Sequence, residues 1–122
     1  MKDKVSKENR LLEKAKKARG YMFPEWEYVI EKDPEFFEAY NNLYQKCLTD
    51  GKALPAKTRE LIAIGILAFR GQESAVLTHA RRALKLGATR EEILEAIETA
   101  FVPGGGPTLR VGLSALLKLG KK

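Results

Sequence analysis

His79 is the only histidine among the 122 residues, and Cys47 is the only cysteine. An imidazole changes charge near neutral pH, so His79 is the side chain best suited by type to give and take protons. It lies in the stretch Arg70-Gly71-Gln72-Glu73-Ser74-Ala75-Val76-Leu77-Thr78-His79, which reads as the opening of a helix. Val76, Ala80, Ala83, Leu84 and Gly87 form the main apolar stripe of that helix. His79 falls at the edge of the stripe, with Ala75 and Ala83 one turn to either side. Those small neighbours leave room for a partner side chain or a ligand. The plainer alternative is a boundary histidine hydrogen-bonded into the fold.

Glu60 stands at the polar-to-apolar transition before Leu61. It is either one half of a surface ion pair, for example with Lys57, or a partly buried carboxylate that could hold an imidazole. Ser74 is five residues before His79, roughly 140° round a helix, so a nucleophilic Ser–His pair is not expected. Glu73 is also off the His79 face, and the helix dipole explains a first-turn acid. Arg110 opens the helix after Gly104-Gly105-Gly106-Pro107. Free N–H groups and an arginine there could clamp a carboxylate, or the glycines could mark a tight turn. Cys47 falls on an apolar stripe and is expected to be a buried structural thiol.

Composition narrows the chemistry further. A single cysteine and a single histidine exclude an intramolecular disulfide, a Cys-x-x-Cys pair and a Cys- or His-rich metal site within one chain. No metal or other cofactor is expected. The net charge is +6, and residues 1–20 carry most of it, with eight Lys/Arg against three Asp/Glu. That segment reads as a solvated helix face, because it lacks interleaved aromatics and any nucleic-acid motif. A nucleic-acid partner is therefore not expected. The longest apolar run, Leu61 to Phe69, is nine residues, against roughly 20 for a membrane span. The Lys-rich start has no apolar leader core, so a cytoplasmic location is expected.

The elements that must position these residues all read as helices. Lys4 to Arg19 is a charged helix with a thin stripe of Leu11, Leu12, Ala15 and Ala18, stopped by Gly20. Pro24 opens a short helix carrying Trp26, Val29 and Ile30. Asp33-Pro34 is an N-cap followed by proline, and Phe36, Tyr40, Leu43 and Cys47 follow at helical spacing. Pro55 opens a helix whose Leu61–Phe69 stretch is apolar all round, so it is expected at the buried centre of the fold or of an oligomer. Thr89-Arg90-Glu91-Glu92 is a capping box for a helix with Ile93, Leu94, Ile97 and Phe101 on its apolar face. Pro103 to Pro107 reads as a break. The last helix runs from about Thr108 to Leu119, with Leu109, Leu113, Leu116 and Leu117 inward.

Taken in order, several features resemble the carboxymuconolactone decarboxylase / alkylhydroperoxidase D superfamily. They are Asp33-Pro34, Gly51-Lys52-Ala53-Leu54-Pro55, Arg59-Glu60-Leu61-Ile62-Ala63, the run from Thr78-His79-Ala80 to Glu92-Ile93, and the glycine-rich turn. The resemblance covers about residues 33–119. It implies an all-α domain of about six helices around an antiparallel hairpin, at residues 33–122, preceded by a basic helix and connector at 1–32. It implies an obligate homo-oligomer, trimer or hexamer, with sites near subunit contacts. In redox members a glutamate, a Cys-x-x-Cys pair and a histidine form the site; here Glu60 and His79 stand at the first and last positions, and Gln72 and Ala75 at the cysteines. A thiolate at a helix N-terminus is what the dipole would stabilise, and neither glutamine nor alanine supplies one. A dithiol peroxidase is therefore not expected. What remains is a cofactor-free decarboxylase or lactone-processing enzyme. His79 would be acid/base and Glu60 its orienting carboxylate, with Gln72, Glu73 and Arg110 as candidate substrate-binding residues. The alternative is a catalytically silent oligomer of the same fold that binds a small acid.

Overall fold

The computed structural model describes residues 2–19 and 22–120. Seven helices account for nearly all of them: α1 (Lys2–Arg19), α2 (Pro24–Lys32), α3 (Pro34–Leu48), α4 (Ala56–Phe69), α5 (Glu73–Lys85), α6 (Arg90–Gly104) and α7 (Gly106–Leu119). No strand occurs among the described residues. The chain forms two compact units, Met1–Cys47 and Leu48–Lys122. Among the described residues, no helix is long and apolar enough to cross a membrane.

In the first unit, Leu11, Ala15, Ile30 and Phe37 make a small core, with Leu12, Trp26, Val29 and Tyr40 packed around it. Gly20 and the side chain of Ala18 lie outside the described residues. Asp33 caps α3 by accepting a hydrogen bond from the Phe36 N–H at 3.2 Å. The inward face of α3 differs from the expected stripe. Pro34, Phe37 and Asn41 are buried and Tyr40 is half-buried, whereas Phe36 and Leu43 are exposed. Trp26 decides this register: it stacks on Tyr40 at 5.0 Å and meets Phe37 at 6.2 Å, and one residue of helix is about 100° of rotation. Cys47 rides on the outward face and is exposed, so it is not the buried structural thiol expected from the sequence.

The second unit packs α4, α5, α6 and α7 around Ile64, Ala68, Val76, Ala80, Ala83, Ile93, Ile97 and Ala115. Three residues, 70–72, join α4 to α5. The turn is closed by Gly71 N–H to Ala68 O and Gln72 N–H to Leu67 O, with Gly71 at φ +73°. That pair of bonds satisfies the last carbonyls of α4, and the left-handed backbone it needs favours glycine. So short a connection makes α4 and α5 an antiparallel hairpin, the arrangement that sets Glu60 against the histidine helix.

Two expectations for this unit change. The glycine-rich segment is not a long break: α6 continues through Pro103 to Gly104, and only Gly105, at φ +88°, separates it from α7. Pro103 cannot donate to the Thr99 carbonyl one turn back, and α6 ends one residue after it, at Gly104. The deepest residues of α7 are Thr108, Gly112 and Ala115; Leu109 and Leu116 pack against the core as expected, whereas Leu113 and Leu117 are exposed. A Cβ at Gly112 would lie 2.4 Å from Ile97 Cγ2, so the absence of a side chain is what lets α7 close on α6.

Candidate active site

The centre of the second unit's chemistry is Glu60, whose side chain is 0% exposed. It projects from the second turn of α4 towards α5, where His79 and Arg82 are three residues apart and so share a helix face. His79 Nδ1 lies 2.9 Å from Glu60 Oε1 and 3.1 Å from Oε2. Arg82 Nε lies 3.6 Å from Oε2. These are the ion-pair partners of Glu60 among the described residues. An ionised carboxylate only accepts, so Nδ1 carries the hydrogen and donates it. Nε2 then holds the ring's free lone pair and has no hydrogen-bond partner among the described residues. The His79 side chain retains 13% exposure, enough for a reactive edge and little more.

This pairing replaces the surface alternative for Glu60. Lys57, the candidate partner on the same helix, instead meets Glu92 Oε2 at 3.1 Å. Glu92 at the same time accepts the Thr89 N–H at 2.9 Å, while Thr89 Oγ1 accepts the Glu92 N–H at 3.0 Å, which is the expected capping box. The Thr89 N–H and then Lys57 hold the Glu92 carboxyl below the usual carboxylate range. Lys57–Glu92 ties the start of α4 to the start of α6 one turn from Glu60.

The other sequence candidates are not gathered at the pair. Gln72 is the N-cap residue of α5, exposed, with no side-chain capping bond. Glu73 is bonded to Lys118 of α7, and hydrogen bonds from Lys118 and Ser114 lower its pKa. Arg110 is exposed on α7, and no described contact joins it to His79 or Glu60. Arg82 was not among the sequence candidates. Its signal was present, an arginine three residues after the histidine, but Arg81 and Lys85 offer the same charge nearby and nothing in the sequence separates them.

A groove of about 780 Å³ lies between α4 and α6, lined by Ile62, Ile66, Phe69, Val102 and Pro103. His79 and Glu60 do not line it. The apolar α4 run is therefore buried on one face only: Ile64 and Ala68 are in the core, while Ile66 is 56% and Phe69 63% exposed. Among the described residues no group of His, Cys, Asp and Glu is arranged to hold a metal ion.

Residues 34–118 match the model of the carboxymuconolactone decarboxylase family. The chain belongs to that family. Two uncharacterized proteins of Methanocaldococcus jannaschii are similar to this carboxymuconolactone decarboxylase family chain. One is 34% identical over 75% of the chain and 85% of its own length. The other is 37% identical over 75% and 88%. Among solved structures, an apo carboxymuconolactone decarboxylase family protein from Legionella pneumophila superposes with a TM-score of 0.68. It is 28% identical, covering 98% of this chain and 96% of its own. A protein from Burkholderia xenovorans described as a carboxymuconolactone decarboxylase superposes with a TM-score of 0.75 at 23% identity. The match covers 91% of this chain and 92% of that one, and it shares the fold.

Proposed function

We propose that this carboxymuconolactone decarboxylase family member is a cofactor-free lyase or lactone-processing enzyme acting on a small carboxylated lactone. His79 is its acid–base residue and Glu60 its orienting carboxylate. The observation that carries the reading is the buried Glu60 on His79 Nδ1 at 2.9 Å, which leaves Nε2 to the substrate. In a decarboxylation of this class, the bond between the ring carbon and the carboxylate breaks and carbon dioxide leaves. The electron pair passes through the ring double bond to the lactone carbonyl, giving an enolate. Nε2–H of the imidazolium delivers the proton that quenches it, and the Nε2 lone pair so freed takes a proton back from a solvent acid, hydronium or buffer, while the carboxylate keeps the other hydrogen on Nδ1. Such positioned proton transfer contributes roughly 10²- to 10⁴-fold in rate. The absence of a Cys-x-x-Cys pair supports this reading over a dithiol peroxidase, since the chain has one cysteine.

The proposal includes a homo-oligomer, trimer or hexamer, assembled through the apolar groove side of α4 and α6. Ile66, Phe69 and Val102 are supporting observations, because a single chain leaves them in water. The test of the chemistry is isotopic. In deuterated water, 4-carboxymuconolactone should give product deuterated at the carbon beside the lactone carbonyl, with release of carbon dioxide. Release of carbon dioxide at the buffer rate would overturn the proposal.

A further inference from the structure

The geometry points to Arg82 as a positioning residue that acts through Glu60. Its guanidinium holds the second carboxylate oxygen and balances the buried charge, so that the carboxylate keeps the hydrogen of His79 on Nδ1. The inference rests on the acid–base reading of His79 and deepens it.

The argument begins with burial. A carboxylate at 0% exposure has lost its water, and a buried anion must be paired and hydrogen-bonded to persist. His79 alone is an unsteady partner, because its own charge comes and goes as it exchanges protons. When the imidazole is neutral, Glu60 would be a buried anion facing a neutral ring. Arg82 removes that difficulty, because a guanidinium stays charged throughout. Its Nε is 3.6 Å from Oε2, and its side chain is 13% exposed, so the attraction is poorly screened.

Direction follows from placement. His79 and Arg82 sit one turn apart on α5, and both face Glu60 on α4. Oε1 makes the shorter contact with Nδ1, at 2.9 Å, while Oε2 is nearer to Arg82 than any other cation among the described residues. Nδ1 reaches both oxygens, at 2.9 Å and 3.1 Å, and Arg82 lies on the Oε2 side at 3.6 Å, so the two partners together set the plane of the carboxylate and with it the plane of the ring. Without Arg82 the carboxylate is free to rotate away from Nδ1. The ring would then relax towards the other tautomer, with hydrogen on Nε2 and no free lone pair at the reactive edge.

The sole histidine gives a direct readout. The experiment is nitrogen-15 NMR of His79 at a pH where the ring is neutral, on the full-length wild type, Arg82→Gln, Arg82→Lys and Glu60→Gln. The expected result is a Nδ1–H ring in wild type and in Arg82→Lys. Arg82→Gln and Glu60→Gln should both shift it towards Nε2–H. The double variant Glu60→Gln/Arg82→Gln should match Glu60→Gln alone, as expected of residues acting in series. With substrate, kcat of Arg82→Gln should fall by roughly 10- to 100-fold with little change in KM, and Arg82→Lys should recover most of it. Should Arg82→Gln fail to fold, Arg82→Met carries the same test, since it keeps the apolar stem. An unchanged Nδ1–H ring in folded Arg82→Gln or Arg82→Met overturns the inference. The tautomer is measured without turnover, so an inactive wild type would sink the proposed reaction while the NMR still decides the role of Arg82.

Discussion

Glu60 and His79 are 19 residues apart in the chain and meet across the α4–α5 hairpin, with Nδ1 at 2.9 Å and 3.1 Å from the two carboxylate oxygens. The contact exists because Gly71 turns the chain back on itself within three residues, and because Glu60 lies on the face of α4 that α5 covers. A carboxylate so deeply placed constrains both stability and chemistry.

Glu60→Ala should destabilise the protein by about 3–5 kcal/mol, because it removes a fully buried carboxylate paired with His79 and Arg82. Glu60→Gln, which keeps shape and one acceptor oxygen, should cost clearly less. Urea unfolding with a common m-value measures both. Equal losses would mean that packing rather than charge holds the site.

Glu92 should make stability depend on pH in acid. Its folded-state pKa is lowered, first by the Thr89 N–H and then by Lys57, so its contribution is present above the unfolded carboxylate pKa. That contribution fades as pH falls through the folded value. The Tm difference between wild type and Glu92→Gln should therefore be largest near neutrality and close at low pH. A gap that stays constant into acid would contradict the assignment. Thr89→Ala, which removes the reciprocal cap, should cost about 1 kcal/mol.

Gly112→Ala should destabilise by about 1–3 kcal/mol, although alanine is the better helix former. The added methyl would meet Ile97 Cγ2 at 2.4 Å. Pairing it with Ile97→Ala, which removes Cγ2 and Cγ1 together, should cost less than the sum of the two single losses if the residues share that contact. Simple additivity would place the strain elsewhere.

Ile66→Lys should weaken assembly without unfolding the chain, because Ile66 is 56% exposed in a single chain and lies in the apolar groove. Light scattering should show wild type as a multiple of one chain and the variant shifted towards it. A monomeric wild type would remove the oligomer from the proposal.

Much of the fold could be read from residue patterns. Proline and glycine punctuation placed the helices, Asp33 and Thr89 cap as their types require, and the order of features around Glu60 and His79 identified the family. The inward faces were harder to read. On α3 the aromatic cluster with Trp26 overrode the simplest apolar stripe and turned Cys47 outward. On α7 the deepest residues are Thr108, Gly112 and Ala115, because close approach to Ile97 favours small residues over leucines there. At the site, Glu60 and His79 were legible as types at boundary positions. Arg82 was not, since only three-dimensional placement distinguishes it from Arg81.

The most direct test of the central claim is the loss of ultraviolet absorbance of 4-carboxymuconolactone on adding wild type and, in parallel, His79→Gln. The account predicts turnover by wild type and a loss of roughly 10²-fold or more in kcat for the folded variant. Equal rates in the two proteins would contradict a proton-transfer role for His79. No turnover by either would exclude this substrate, and with it the decarboxylase reading in favour of a ligand-binding protein of the same fold.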